Sequence, residues 1–263
     1  MRKVQVPIDV LSPRQADIVN LARAEGRVSV ERLADQFGVT PQTIRKDLGE
    51  LCNSGVLSRY HGGAVPASGA ANFGYEARRR LAPDEKRAIG RAAAALIPEG
   101  ASLLINIGTT TEQVAMALRG HKGLMVITNN INVANILQGH DQIEVVIAGG
   151  VLRHADGGIV GEAAVDFIRQ FRVDFAIIGA SGIDADGTLL DYDYREVKVA
   201  KAIMDCARKS ILVADSMKLE RTAPVRIGHL SDLDVFVTDA LPRPSIASIC
   251  RESDVRIELA SSA

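Results

Sequence analysis

The sequence predicts an α/β protein in two parts: a small, mostly helical N-terminal module and a larger domain built on a mostly parallel sheet. Three observations predict it. Residues 11–66 read as three short helices followed by a hairpin. Residues 67–83 read as a linker, small and polar from Ala67 to Asn72 and then basic at Arg78, Arg79 and Arg80. From Asp84 onward, apolar strand-like runs alternate with helical stretches, the pattern of parallel strands joined by crossover helices. The expected division is therefore 1–66, a linker at 67–83, and 84–263, and 263 residues comfortably supply two cores.

Hydrophobic residues make up 47% of the chain and charged residues 24%, as in ordinary globular proteins. No stretch approaches the ~20 consecutive apolar residues of a membrane span. The start Met1-Arg2-Lys3, interrupted by Pro7 and Asp9, does not read as a signal peptide, so a cytoplasmic location is expected. Cys52, Cys206 and Cys250 are odd in number and far apart, which suits a reducing compartment. The five histidines (His61, His121, His140, His154 and His229) form no ligand spacing, so neither metal nor cofactor is expected. Net charge is −1 but unevenly spread. Residues 1–80 carry twelve Lys and Arg against eight Asp and Glu, whereas residues 81–263 carry nineteen against twenty-four. A positive first part points toward nucleic acid.

Ser12-Pro13 opens the first helix as a cap followed by proline at the first helical position; Ile18, Leu21 and Ala22 make its apolar stripe and Gly26 ends it. Ser29 caps a second helix with Val30, Leu33, Ala34 and Phe37 at i, i+3, i+4 and i+7. After the turn Gly38-Val39-Thr40, Thr40 and Pro41 start a third helix, with Ile44, Leu48 and Leu51 inward and Gly55 as its stop. Two short helices joined by a glycine-containing turn have helix-turn-helix geometry, in which the start of the second enters the major groove. That start presents Gln42, Thr43, Arg45 and Lys46: Gln can pair with adenine, Arg or Lys with guanine, and Thr can meet a thymine methyl. Val56 to Val65, with Gly62-Gly63 at its turn, reads as a two-stranded wing whose Arg59, Tyr60 and His61 can reach phosphate or the minor groove. The competing reading is a plain three-helix bundle with a solvated basic face.

In the second part the expected strands are 102–107, 125–128, 144–148, 175–179, 211–214 and 235–238, with a last one at 255–259. A helix capped by Asp84 precedes them, with Ile89 and Leu96 inward. Open α/β sheets bind ligands beyond the carboxyl ends of their strands. Gly108-Thr109-Thr110-Thr111 follows the first strand and opens a helix, a phosphate cradle or simply an ordinary helix start. Asn129 and Asn130, Gly149-Gly150, the run 179–184 and Asp215 to Lys218 follow the others. Asp156-Gly157-Gly158 is a further loop, and Arg153 and Lys218 are candidate phosphate cations or solvent-facing charges. Asp191 to Glu196, leading to Lys198 and Lys201, reads as a helix-capping cluster or as a catalytic one.

The runs LADQFGVTPQTIRKDL at 33–48 and GVLSRYHGGA at 55–64 resemble the DNA-binding module of the DeoR family of bacterial repressors. Members usually carry two arginines where this chain has Arg45 and Lys46; lysine keeps the charge and loses the bidentate fork, which fits a phosphate contact. The chain from Asp84 to about Leu259 resembles the family's sensor domain. Within the family, TNNINVAN at 128–135, DGGIVGE at 156–162 and DFAIIG at 174–179 are most similar to the repressors of glycerol 3-phosphate metabolism. The resemblance implies a winged helix-turn-helix and a sensor fold related to ribose-phosphate isomerase and the CoA-transferases. It implies a repressor of carbohydrate or polyol catabolism genes, binding a double-stranded operator as a homo-oligomer, with a tetramer the expected state. A phosphorylated sugar or polyol such as glycerol 3-phosphate would release it. The effector positions implied are Gly108, Thr109, Thr110, Thr111, Asn129, Asp156, Gly157, Gly179, Gly182, Asp184, Glu196 and Lys218. The alternative is an isomerase-like enzyme, but where the isomerases carry a tight carboxylate pair this chain has Ser181-Gly182 and keeps only Asp184.

Overall fold

The computed structural model describes residues 11–53, 56–60, 62–66 and 75–261. The expected helix stop Gly55, the wing residue His61 and residues 67–74 of the expected linker lie outside these. The chain divides into two compact units, Met1–Leu81 and Ala82–Ala263.

The first unit runs α1 (Pro13–Glu25), β1 (Val28–Ser29), α2 (Val30–Phe37), α3 (Pro41–Asn53), β2 (Leu57–Tyr60), β3 (Gly63–Pro66) and α4 (Tyr75–Arg80). Its punctuation follows the residues. Ser12 and Gln15 form a reciprocal capping box at α1, and Gly26 closes that helix in the left-handed region. Ser29 accepts the Arg32 N–H at the start of α2, and Gly38, at φ +61°, makes the turn into α3. Thr40 Oγ1 accepts the Thr43 N–H (3.3 Å), capping α3 as expected. Ile18, Val19, Ala22, Leu33, Ile44, Leu48, Leu51 and Leu57 form the core. The wing is richer than the sequence suggested, because β1 joins β2 and β3 in a three-stranded antiparallel sheet of order β1-β3-β2. Part of the expected linker is helical, as α4.

The second unit begins with α5 (Pro83–Ala95). Asp84 is not its cap: Ala82 is the cap residue, with no side-chain cap bond, Pro83 starts the helix, and Asp84 pairs with Arg87 in the first turn. There follow β4 (Ser102–Ile105), α6 (Thr109–Leu118), β5 (Leu124–Thr128), α7 (Ile131–Leu137) and β6 (Ile143–Ile147). A hairpin of β7 (Val151–Arg153) and β8 (Gly158–Val160) leads to α8 (Glu162–Ile168) and β9 (Val173–Ile178). Then come β10 (Gly182–Ile183), β11 (Thr188–Asp191), α9 (Tyr194–Asp205), β12 (Ala207–Val213), β13 (Val225–His229), β14 (Val235–Thr238), α10 (Pro244–Glu252) and β15 (Arg256–Leu259).

All seven expected strands are present, and they make one fully parallel sheet of order β15-β14-β12-β9-β4-β5-β6. The chain moves outward from β4 through β5 to β6, then returns to the other side of β4 at β9 and continues to β15. Helices α5, α6 and α7 bury Ile89, Val114, Leu118, Val133 and Leu137 against one face of the sheet. Helices α8, α9 and α10 bury Val165, Ile168, Val199, Ile203 and Ile246 against the other. Such doubly wound layering follows from right-handed crossovers taken in two directions from one strand. At the amino end, Asp174 locks β9 to β4 by accepting the Ser102 N–H (3.0 Å) and hydroxyl (2.7 Å). Strands β10, β11 and β13 form a separate antiparallel sheet that the sequence pattern did not reveal.

Helices α5 and α6 approach backbone to backbone at Gly90, where an added Cβ would stand 2.6 Å from the Gln113 carbonyl. Glycine to alanine inside a helix normally stabilises by about 1 kcal/mol. Here the collision reverses the sign: Gly90→Ala is expected to destabilise the protein by about 1–3 kcal/mol, read as a lower midpoint in urea unfolding.

Candidate functional site: groove-facing helix and sheet-edge cradle

Helix α3 divides into two faces. Ile44, Asp47, Leu48 and Leu51 are buried, while Thr40, Gln42, Arg45 and Lys46 are exposed and Thr43 is half-buried. Sequence reasoning foresaw the apolar part of the buried face and missed its polar part. Arg14 Nε donates to Asp47 Oδ2 (2.7 Å), and Gln15 Nε2 donates to Glu50 Oε2 (2.7 Å). Two polar bonds thus tie the first turn of α1 to the middle of α3, fixing the helix about its own axis. A groove lined by Ser12, Arg14, Gln42, Thr43 and Lys46 opens beside these bonds. In the wing, Arg59 is exposed and Tyr60 half-buried. The Arg59 guanidinium lies over α3, 3.0 Å from where a Gly49 Cβ would stand, and its charge acts on Cys52. Burial nevertheless pushes the Cys52 thiol up, and it does the same to Cys206 and Cys250, so none is poised as a thiolate.

In the second unit the strand order reverses between β4 and β9, and the crevice such a reversal creates lies beyond their carboxyl ends. Four segments meet there. Gly108 precedes α6, whose first-turn N–H groups have no acceptor within the helix. Thr109 and Thr110 are nearly buried, and Thr111 is fully buried with its hydroxyl already committed to the carbonyls of Asn106 (2.9 Å) and Gly108 (2.8 Å). Gly179, at the end of β9, packs beside Thr111, and its N–H donates to Asn106 Oδ1 (3.1 Å). Asn106 therefore staples the two strand ends together. The sequence signal that could have found it is an amide closing an otherwise apolar strand run.

Beyond β5, Asn129 donates through Nδ2 to the Ile159 carbonyl (2.9 Å) and is 1% exposed. Its Oδ1 is buried without a hydrogen-bond partner among the described residues. An unsatisfied buried carbonyl of this kind costs ~1–3 kcal/mol and asks for a donor. The tip of the β7–β8 hairpin closes over this region. Gly157 takes φ +73°, and Gly158 lets Ile107 approach to 2.3 Å of a would-be Cβ. Asn132 Nδ2 holds the tip by donating to the Asp156 carbonyl (3.0 Å) and to Glu112 Oε1 of α6 (3.0 Å).

Asp156 and Glu196 come together through one cation. Arg153 donates from Nε to Asp156 Oδ1 (2.8 Å) and from Nη2 to Asp156 Oδ2 (2.6 Å). The same guanidinium donates from Nη1 to Asp193 Oδ2 (3.1 Å) and from Nη2 to Glu196 Oε2 (2.5 Å). Burial alone would lower the Arg153 pKa, but Asp156 and Glu196 raise it well above the ordinary guanidinium value. The expectation that Arg153 is a phosphate cation or a solvent-facing charge is thereby corrected, since its fork is already filled by carboxylates. Asp193 caps α9 by accepting the Arg195 N–H (2.9 Å). Of the two readings of cluster 191–196, the structure thus supports capping, while Lys198 pairs across to Glu162 of α8 (2.5 Å).

The remaining expected effector residues follow the carboxyl ends of β9 and β12. Gly182 belongs to β10, where an added Cβ would stand 2.4 Å from the Arg221 carbonyl. Asp184 sits in the β10–β11 turn, with its N–H on the Thr188 carbonyl. Lys218 is half-buried in a 3-10 turn (Ser216–Glu220) after β12. Among the described residues no group of His, Cys, Asp and Glu is arranged to hold a metal ion, and no helix is long and apolar enough to cross a membrane.

A helix-turn-helix with an open polar face, carried on the same chain as an α/β sensor domain, defines a DNA-binding transcription regulator. The chain belongs to the DeoR family: residues 14–69 match the DeoR-like helix-turn-helix domain and residues 81–240 the DeoR C terminal sensor domain. It is 45% identical over 246 residues to the glycerol-3-phosphate regulon repressor of Escherichia coli K12, covering 94% of this chain and 98% of that protein. It is 46% identical over 248 residues to the glycerol-3-phosphate regulon repressor of Haemophilus influenzae, covering 94% and 96%. These relatives are named as repressors rather than enzymes. Ribose 5-phosphate isomerase A of Neisseria gonorrhoeae aligns with 54% of this chain and 53% of its own at 17% identity and a TM-score of 0.37.

Asp193 supplies a pH test of the carboxylate knot. The hydrogen bond from Arg195, opposed by burial and supported by the Arg195 N–H and by Arg153, holds its carboxyl well below the usual range. A depressed carboxyl stabilises the fold above its unfolded value of about 4, and that stability is lost as pH falls through the folded value. Asp193→Asn never has this contribution. The variant is expected to be less stable than wild type at pH 7 and to lose less on acidification from pH 5 to 3, measured as urea midpoints at each pH.

Proposed function

We propose that the protein is a sequence-specific repressor that reads its operator with α3 and is released when a phosphorylated polyol binds at the carboxyl edge of the sensor sheet. The observation that carries the DNA half is the division of α3. Buried Asp47 and exposed Glu50 tie it to α1, and its open face offers Gln42, Arg45 and Lys46 to base edges and phosphate. Thr40, Thr43, Arg59, Tyr60 and His61 complete the proposed DNA contacts.

For the effector, the N–H groups at the start of α6 suit a phosphate, together with the hydroxyls of Thr109 and Thr110. The unsatisfied Asn129 Oδ1 suits a polyol hydroxyl donor. Glycerol 3-phosphate is the first candidate, because two repressors of that regulon share nearly half of this sequence. Gly157, Gly179, Gly182, Asp184, Glu196 and Lys218 remain the wider proposed effector set. The protein acts in the cytoplasm as a homo-oligomer, a tetramer on paired operator sites. Release is a population shift: a coupling of ~1–3 kcal/mol lowers operator affinity by about 5–150-fold.

A gel shift on DNA upstream of neighbouring genes, with and without a panel of phosphorylated polyols, tests the whole reading. Arg45→Ala is expected to weaken operator binding, with loss of a base contact worth ~1–3 kcal/mol. Unchanged affinity would remove α3 from the groove. The double variant Thr109→Ala/Thr110→Ala is expected to bind operator normally and to need a higher glycerol 3-phosphate concentration for release. An unaltered dose response would place the phosphate elsewhere.

A further inference from the structure

Arg153 bonds three carboxylates in the sensor domain, and the proposed phosphate cradle does not use it. Its side chain is 16% exposed, and those of Asp156 and Glu196 are 3% and 8% exposed. Two arginines, Arg153 and Arg195, therefore stand among three carboxylates, and the two almost completely buried ones meet Arg153. Partner by partner, β7 supplies Arg153, the hairpin tip Asp156, and the first turn of α9 Asp193, Arg195 and Glu196. Neighbouring charges are Glu112 of α6, which shares Asn132 with the hairpin tip, and the Lys198–Glu162 pair joining α9 to α8. A guanidinium with its donors so occupied has no edge left for a phosphate, and the surrounding net negative charge repels one.

We propose that Arg153 is a positioning residue that keeps Asp156 and Glu196 ionised and converging, so that they serve as hydrogen-bond acceptors for the hydroxyls of the effector. This rests on the effector reading above and assigns the ends of the ligand: phosphate toward the start of α6, hydroxyls toward the carboxylates. Ionised carboxylates accept several hydrogen bonds and donate none, which matches a polyol. Without Arg153, buried like charges favour protonation, turning an acceptor into a donor and uncoupling the hairpin from α9. Lysine in its place keeps the charge and loses the fork.

The test uses full-length wild type, Arg153→Gln and Arg153→Lys in two arms. In the first, carboxyl carbon NMR follows protonation of Asp156, Asp193 and Glu196 from pH 4 to 8 without ligand. Wild type is expected to keep all three ionised across this span, whereas Arg153→Gln takes up a proton as the pH is lowered through it. In the second arm, glycerol 3-phosphate affinity is titrated at pH 6, 7 and 8. Relative to wild type at each pH, Arg153→Gln is expected to bind about tenfold or more weakly, one decade of affinity, with the deficit widening toward pH 6. Arg153→Lys is expected to restore the wild-type pH profile at intermediate affinity. Operator binding without ligand reports that the variants fold. The proposal is overturned if Arg153→Gln binds like wild type with the same pH profile, or if wild-type Asp156 or Glu196 takes up a proton near neutrality. Should Arg153→Gln not fold, the wild-type protonation curve and Arg153→Lys decide it. If wild type binds neither glycerol 3-phosphate nor any other phosphorylated polyol, the effector reading falls. The NMR arm still decides whether Arg153 holds the charges.

Discussion

The sensor domain depends on the reversal of strand order at β4. Parallel strands leave the sheet along a common edge, and here the chain takes α6 to one face after β4 and the α9 layer to the other after β9. Nothing in the main sheet can close the gap between those departures. The residues beside it are accordingly small or hydrogen-bonding: Asn106, Gly108, Thr111 and Gly179 occupy the reversal itself, and Asn106 spans it with the bond to the Gly179 N–H. The reversal makes a crevice, and the side chains determine what can enter it.

The two units handle buried charge in the same way. In the first, Asp47 is buried on a helix whose opposite face must stay clear, and Arg14 reaches across from α1 to neutralise it. In the second, Asp156 and Glu196 are buried from a loop and a helix start, and Arg153 joins them. Removing one partner from such a pair costs more than the pair itself contributes, because the survivor remains desolvated. Each arginine therefore fixes where a neighbouring element sits, and in each unit that element borders a proposed contact surface.

Much of this was legible in the sequence, and the exceptions share a cause. Ser12-Pro13, Ser29, Gly38 and Thr40-Pro41 announce their helices through local chemistry, and the structure uses each as expected. The seven parallel strands are buried apolar runs with clear breaks, so their existence was plain, although their order across the sheet was not. Strands β1, β7, β8, β10 and β11 are two to four residues long, too short for an alternating pattern to stand out. Polar partners were invisible for another reason. Asp47 lies 33 residues from Arg14, and Arg153 lies 40 and 43 residues from Asp193 and Glu196. No spacing rule spans such separations, so although Asp156 is only three residues away, Arg153 looked like a free cation until the fold brought Asp193 and Glu196 to it. Gly182, expected among ligand contacts, also lies where a Cβ would stand 2.4 Å from the Arg221 carbonyl, an approach that no sequence pattern showed.

The bare meeting of α5 and α6 at Gly90 has a mechanical consequence. Most helix pairs touch through side chains, whose rotamers absorb small movements like a cushion. At Gly90 main chain rests on main chain, and at that point the cushion is absent. Helix α6 begins at the crevice, and α5 begins at Pro83, directly after the boundary that separates the two units. A shift of α6 along or about its axis must be taken up by α5 with little slack. This close joint therefore leads from the crevice to the point where the chain passes to its other unit.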